Sequence, residues 1–334
     1  MRNQDMPTDL LHDAESIFRS GLDRVDPLKM MERVLSLDGD MLYVKTETQS
    51  FSYDLSRYRR ILVLGAGKAS ARMALGLERL LGERISGGLV AVKEGHLEEL
   101  VRVRLMESAH PVPDERSAAA AEAVLEMAHS ATEGDLVLVL VSGGGSAILA
   151  APWSEGERSL TLEDKQAVTR ALLACGATIQ EVNCVRKKLS NIKGGRLARA
   201  LGKTEFLSLI LSDVIGDDLD AIASGLTVPD STTCVEANAI VLRYGLAGKL
   251  PPAAEALLRD GANGVIADTP KADDPVFANS RTVLIGTNQQ ALLAAEDKAR
   301  ELGYNTLLLT SHLTGEAREM ASLFLGIAKD IGAH

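Results

Sequence analysis

Leu136-Val137-Leu138-Val139-Leu140-Val141 runs without a break into Ser142-Gly143-Gly144-Gly145-Ser146. An unbroken aliphatic run closed by glycines reads as a strand buried on both faces, as in a parallel sheet. Two other segments repeat the design. Ile61-Leu62-Val63-Leu64 leads into Gly65-Ala66-Gly67-Lys68, and Phe206 to Leu211 leads into Ser212-Asp213-Val214-Ile215-Gly216-Asp217-Asp218. Each is read as a strand ending in a tight loop that opens a helix. In an open parallel sheet all such ends lie on one edge, where ligands bind. A lysine, bare backbone N–H groups and carboxylates would then converge on one anionic ligand, as phosphoryl transfer requires.

Working outward, residues 8–36 show helical periodicity in two pieces divided at Asp26-Pro27, with Asp as N-cap and Pro in the first turn. A short strand is expected at Phe51 to Tyr53, and from residue 60 strands and helices alternate. Strands are expected at 60–65, 88–93, 103–108, 135–141 and 206–212. Helices are expected at 68–81, 114–129, 161–175, 177–188 and 231–244. This alternation predicts an α/β fold, a doubly wound, Rossmann-like parallel sheet with helices on both faces. Composition changes near residue 247, where Pro251-Pro252, Gly261 to Gly264 and Thr269-Pro270 read as surface connection around one short helix, 252–260. A new pattern then begins, with strands expected at 281–286 and 305–310, each followed by a helix. So small a unit makes a poor core alone, and reads as a second, smaller, incomplete α/β domain.

Composition narrows the function classes. The 334 residues are 46% hydrophobic but only 3% aromatic, with a formal charge of -10. Few aromatics leave little for stacking nucleobases, and the acidic balance disfavours neutralising a phosphate backbone. No nucleic-acid partner is expected. Cys175, Cys184 and Cys234 show no C-x-x-C spacing, which fits reduced thiols in a cytoplasmic protein. Met1 to Leu10 lacks the apolar stretch of a signal peptide. No apolar run approaches the roughly 20 residues that span a bilayer, so no membrane association is expected. A homodimer is compatible with the sequence.

Several side chains are candidates for chemistry. Gly65, Gly67 and Lys68 form a phosphate-approaching loop, although it lacks the P-loop spacing and the third glycine of the dinucleotide fingerprint. Ser142, Gly143, Gly144, Gly145 and Ser146 form a second. Glycines in series at a helix entry are entropically costly unless a ligand must reach the backbone. Close strand–helix packing is the alternative, and Ser142 as a nucleophile lacks the G-x-S-x-G elbow. A helix from 177 would put Asn183, Arg186 and Ser190 on one face, and Lys193-Gly194-Gly195-Arg196 would follow as another anion loop. The alternative is a solvated basic surface. Asp213 and Asp217 offer a metal site or a base, against plain turn chemistry. His110, in His110-Pro111-Val112-Pro113-Asp114, is a substrate contact or a structural histidine. Thr314-Gly315-Glu316 reads as ordinary helix-start chemistry.

Read together, these segments resemble the class II glycerate kinases, the family with the MOFRL C-terminal domain, often labelled hydroxypyruvate reductases. Gly65-Ala66-Gly67-Lys68-Ala69, His110 to Asp114, Ser142 to Ala147, Asn183 with Val185-Arg186-Lys187, Leu189-Ser190, and Lys193 to Ala198 carry the likeness. So do Ser212-Asp213-Val214 with Gly216-Asp217, Ala223-Ser224-Gly225, Thr227 to Asp230, Gly286-Thr287-Asn288 and Gly315 to Glu319. The resemblance implies transfer of the ATP γ-phosphate to the 2-hydroxyl of D-glycerate, with Mg2+, in an interdomain cleft. Lys68 matches the family's proposed catalytic lysine. On that basis Lys68, Asp213 and Arg186 are assigned to catalysis and Asp213 and Asp217 to the metal. The glycine loops with His110, Asn183, Ser190, Lys193, Gly194 and Arg196 are assigned to phosphate and substrate. The expected division is a kinase domain over 1–246, a connection over 247–280, and the start of a MOFRL-type domain over 281–334.

Three departures stand out. Lys188 replaces the family's usual His, Leu226 replaces a Pro, and the family's Gly-Gly-Arg-Asn-Gln-Glu segment does not occur before the chain ends at His334. The expectation is thus a C-terminally truncated member. The alternatives are an NAD(P)-dependent hydroxypyruvate reductase, or a remnant that binds ligand without turnover.

Overall fold

A computed structural model describes residues 7–315 and 317–333. The readings made for Met1 to Met6, Glu316 and His334 lie outside them. The chain opens with α1 (Pro7–Arg24) and α2 (Pro27–Val34). As anticipated, Asp26 caps α2, its carboxylate accepting from Lys29 N at 3.0 Å. Strands β1 (Leu35–Asp38), β2 (Met41–Lys45) and β3 (Ser50–Asp54) form a small antiparallel sheet, of which only the last was expected. Then come β4 (Arg60–Ala66), α3 (Ser70–Leu81), β5 (Ile85–Lys93), β6 (Val103–Ser108), α4 (Glu115–Ser130) and β7 (Asp135–Val141). A single helical turn, α5 (Gly145–Ile148), and a hairpin, β8 (Ser154–Glu155) with β9 (Arg158–Ser159), precede α6 (Leu162–Ala174), α7 (Ile179–Lys188) and α8 (Arg196–Leu201). The rest is β10 (Glu205–Leu211), α9 (Cys234–Arg243), α10 (Pro252–Ala262), β11 (Ser280–Gly286), α11 (Asn288–Glu301) and α12 (Ala317–Ala333).

The main sheet is six-stranded and parallel, ordered β11-β10-β7-β4-β5-β6. Numbered along the chain and read from β6, that order is the 3-2-1-4-5-6 of doubly wound folds. Its direction reverses between β4 and β7. The expected parallel α/β fold is therefore present, with its ligand-binding crevice predicted at the ends of those two strands. Every residue of β7 is buried, as its uninterrupted aliphatic run required.

Two apolar layers cover the sheet. One packs Met30, Met31, Met73 and Leu77 with Tyr53 against Leu138, Leu140 and Leu209. The other packs Ala120, Ala121 and Val124 of α4 with Leu197 and Ala198 of α8 against Val137, Val139 and Phe206. Small alanines let α4 lie close to the strands. A third cluster, absent from the sequence reading as a unit, joins Val168, Leu172, Val182, Val185, Ala237, Ile240 and Leu257 of α6, α7, α9 and α10.

Past residue 246 the structure departs from the expected division. β11 is not the start of a separate sheet: it pairs in parallel with β10, from Phe206↔Ser280 onward, and α11 packs on α1. Hydrogen-bonding to β10 satisfies its backbone better than a two-stranded unit would. The strand expected at 305–310 does not form, and Leu307 there is 70% exposed. An apolar run becomes a strand only where a neighbour completes its ladder, and among the described residues none does. The helix expected after it is α12.

Candidate functional site

At the switch point the loops after β4 and β7 interlock. A Cβ on Gly67, where φ is +144°, would lie 2.1 Å from Ser142 Oγ, and one on Gly65 would lie 2.3 Å from Leu140 O. Both glycines are therefore needed for close strand approach. Ser142 N donates to Ala66 O at 3.1 Å and Lys68 N donates to Gly143 O at 2.9 Å. Ser142 Oγ accepts from Ala69 N at 3.0 Å and lies 3.1 Å from Ser70 Oγ. It thus completes the N-terminus of α3, which has Ala69 and so no capping side chain of its own. The buried hydroxyl, expected among the ligand contacts, already has partners within the protein.

Gly143 and Gly144 form the floor of the site. A Cβ on Gly143 would sit 1.7 Å from Asp213 Oδ2, and one on Gly144 would lie 3.0 Å from His110 Cδ2 and 3.1 Å from Lys68 Cγ. Lys68 Nζ lies 3.4 Å from Asp213 Oδ2, and both side chains remain open to solvent, at 40% and 52% exposure. Among the described residues no protein acceptor takes the amide hydrogens of Gly143 or Gly144. Burial, then the neighbouring Lys68 and Lys93 charges, lower the His110 pKa below its ordinary 6.5. His110 is therefore a neutral donor or acceptor at pH 7. Lys68, Asp213, His110, Gly143 and Gly144 are brought together as expected.

The next turn builds a second half of the site. Gly145 admits Ala223, whose Cβ would be 2.7 Å from a Cβ there. Ser146 Oγ meets Ser224 Oγ at 2.6 Å, and Ser224 Oγ lies 3.5 Å from Asn183 Oδ1. Ala223 and Ser224 both have positive φ, 50° and 58°. Left-handed backbone at non-glycine residues costs about 1–3 kcal/mol each and concentrates at functional sites. Ser224 was not among the expected site residues; its segment Ala223-Ser224-Gly225 entered only as part of the family likeness, because backbone strain at a serine leaves no local sequence signal.

The expected anion loop at Lys193 to Arg196 is reassigned. Gly194 N donates to Ser224 O at 2.9 Å and Gly195 N to Gly225 O at 2.7 Å, so these amides hold the 223–225 segment rather than a ligand. Arg196 donates through Nη1 to Lys187 O at 2.7 Å and Ser190 O at 2.8 Å, closing the C-terminal end of α7. Ser190 Oγ donates to Ala151 O at 3.1 Å and is fully buried. Gly194, Arg196 and Ser190 are accordingly engaged by partners within the protein. Arg186 and Lys193 are different: Lys193 Nζ binds only carbonyls, Ser146 O at 2.8 Å and Leu149 O at 3.0 Å, and Arg186 has no side-chain partner among the described residues.

Nor is α7 a solvated basic face. Lys187 pairs with Asp220 and with Asp230 at 3.1 Å, and Lys188 with Asp230 at 2.7 Å and Asp268 at 2.9 Å. Lys188 also donates to Thr232 O and Thr269 Oγ1. Burial opposes the Lys188 charge, but Asp230 and Asp268 outweigh it and raise its pKa. The replacement of the family's His at 188 thus has a full set of oxygen partners. Leu226, the other substitution, is buried in the layer under α4.

Asp213 and Asp217 line one cavity of about 350 Å³, with Asn288 and His312 opposite. Among the described residues no group of three or more His, Cys, Asp or Glu forms a metal cage. Asp213 is exposed and Asp217 half-buried, and two carboxylates suit Mg2+, which typically takes one or two and completes its shell with water and phosphate oxygens.

Fold and site define a doubly wound α/β protein whose switch point gathers a lysine, carboxylates and glycine loops. Residues 13–259 match a family model described as a domain of unknown function, DUF4147. The chain is 45% identical to a protein of Agrobacterium vitis named "Putative hydroxypyruvate reductase", over 80% of this chain and 58% of that protein. It is 36% identical to the glycerate 2-kinase of Pyrococcus horikoshii, over 90% of this chain and 64% of that protein. The crystal structure of a glycerate kinase from Thermotoga maritima superposes with a TM-score of 0.79 at 32% identity, over 97% of this chain and 70% of that one. The chain belongs to the DUF4147 family, alongside the glycerate kinases. It spans about six tenths of the length of the two named relatives.

Proposed function

We propose that this chain carries the catalytic half-site of a glycerate 2-kinase, moving the γ-phosphate of ATP to the 2-hydroxyl of D-glycerate. The observation that carries this reading is Lys68 beside Asp213 over the open amides of Gly143 and Gly144, at the switch point. The names of the Pyrococcus and Thermotoga relatives support the substrate.

In this mechanism the Gly143 and Gly144 amides and Lys68 neutralise charge on the transferred phosphoryl group. Asp213 accepts the proton of the attacking hydroxyl as the O–P bond forms and the bond to the ADP oxygen breaks. His110, neutral, hydrogen-bonds the substrate at the rim. Mg2+, held by Asp217 with Asp213, would supply further neutralisation of the phosphate oxygens. No covalent enzyme intermediate is needed, because positioning and electrostatics account for this chemistry.

Among the described residues no helix is long and apolar enough to cross a membrane. The three cysteines are free, which supports a cytoplasmic, reducing setting.

Phosphorus NMR of the purified chain with ATP, Mg2+ and D-glycerate tests the reading. A 2-phosphoglycerate resonance is expected. Oxidation of NADH by hydroxypyruvate, with no phosphorylated product, would replace it with the reductase suggested by the Agrobacterium name.

A further inference from the structure

Within 30 residues the protein treats its buried cations in two ways. Lys187 and Lys188 are each neutralised by two carboxylates. Lys165, on α6, is only 8% exposed and Lys193 only 1% exposed, yet neither has an acidic partner. Lys165 Nζ donates to Ala151 O at 3.0 Å, and Lys193 Nζ to Ser146 O and Leu149 O. An ammonium has three donors and a guanidinium five. Two donors on Lys165, one on Lys193 and all of Arg186 therefore remain unspent.

These cations also act on one another. Burial, followed by Arg186 and Arg196, pulls the Lys165 pKa down to about 7. Burial, followed by Lys165 and Arg186, pulls Lys193 well below its ordinary value. Buried charges without partners are strongly unfavourable, and like charges gathered together are more so. Capping the carbonyls of the 146–151 turn accounts for one hydrogen bond from Lys165. It does not account for gathering Lys165, Arg186 and Lys193 without an acid.

We propose that Lys165 and Lys193, with the half-buried Arg186 at the outer end, form a cationic cluster behind Ser146 that binds the carboxylate of the acceptor acid. The proposal rests on the kinase reading and adds Lys165 as a substrate-binding residue. Lys193 Nζ holds the carbonyl of Ser146, and Ser146 belongs to the same glycine loop as Gly143 and Gly144, so the cations and the open amides are two ends of one loop. The ATP phosphates, which bring their own metal, would take the solvent-open end.

The test is calorimetric titration of the purified chain with D-glycerate at pH 8, repeated in buffers of different ionisation enthalpy. Wild type should take up a substantial fraction of a proton on binding, because a bound carboxylate restores the charge of Lys165 or Lys193. Lys165→Gln, which keeps a donor for Ala151 O, should weaken glycerate at least tenfold and reduce the uptake. Its ATP affinity should stay within twofold of wild type, and Lys165→Arg should recover most of the glycerate affinity. Unchanged glycerate binding in Lys165→Gln, or a loss confined to ATP, would overturn the proposal. So would wild-type binding without proton uptake, a result that needs no folded variant. L-Lactate, glyoxylate and inorganic phosphate form a parallel series. If lactate or glyoxylate binds with the same Lys165 dependence and D-glycerate does not, the carboxylate site stands and the kinase reading falls. If phosphate alone binds, or nothing does, the carboxylate site falls, and phosphorus NMR judges the kinase separately.

Discussion

Lys68 Nζ and Asp213 Oδ2 stand 3.4 Å apart although 145 residues separate them in the chain. Their meeting is a consequence of strand order. β4 and β10 flank β7, so the loops that follow them close over Gly143 from either side. In an exposed pair the attraction itself contributes little to stability. Its importance lies in fixing a cation and a base above two open amides.

Lys68→Ala should lower turnover of glycerate by about 10²- to 10³-fold, the loss usual when a charge-stabilising donor is removed. The melting temperature should barely change, since the side chain is 40% exposed. Steady-state assay beside a thermal melt checks both. Turnover equal to wild type would remove Lys68 from the mechanism.

Gly143→Ala places a methyl group where Asp213 now lies, 1.7 Å from its Oδ2. Asp213 sits on a solvent-open loop, so it should swing away at small cost to the fold. Activity should fall as far as in Asp213→Asn, and the double variant should lose little more. Additive losses would show that the two residues act independently.

Ser142→Ala distinguishes a ligand contact from a helix cap. The hydroxyl accepts from Ala69 N inside the protein, so removing it should cost about 1 kcal/mol in urea unfolding. The KM for either substrate should remain within about threefold, equivalent to under 1 kcal/mol. A large rise in KM with unchanged stability would restore Ser142 to the binding surface.

Asp230 should make stability depend on pH in a definite direction. Burial raises its pKa, but Lys188 and Lys187 outweigh this and hold it well below the ordinary carboxylate value. A folded pKa below the unfolded value of about 3.9 gives a stabilisation that is complete above the unfolded value and is lost progressively as pH falls from there through the lower folded pKa. Asp230→Asn should therefore destabilise by about 3 kcal/mol at pH 7, with the gap shrinking by pH 3.5. Urea melts at both pH values measure it; a gap independent of pH would mean the charge is not what matters.

The sequence by itself determined the parallel α/β fold and which strand-end loops that fold would gather on one edge. Aliphatic runs such as 136–141 and 206–211 record burial residue by residue, and glycines mark where backbones approach, so both are legible locally. Lys68, Asp213, Gly143 and Gly144, which the fold brings together, were legible as neighbours because each follows such a run. Tertiary structure alone decided what each polar group does. Ser142 was spent on α3, Arg196 on the end of α7, and the Lys193 loop amides on residues 224 and 225. The same held for the lysines: 187 and 188 received carboxylates from distant loops, while 165 and 193 received none. β11 became the edge of the main sheet, and the apolar run at 305–310 found no ladder. Hydrophobic period is a property of neighbours in sequence. A hydrogen bond, an ion pair or a strand partner depends on residues brought from far along the chain, and those exist only once it has folded.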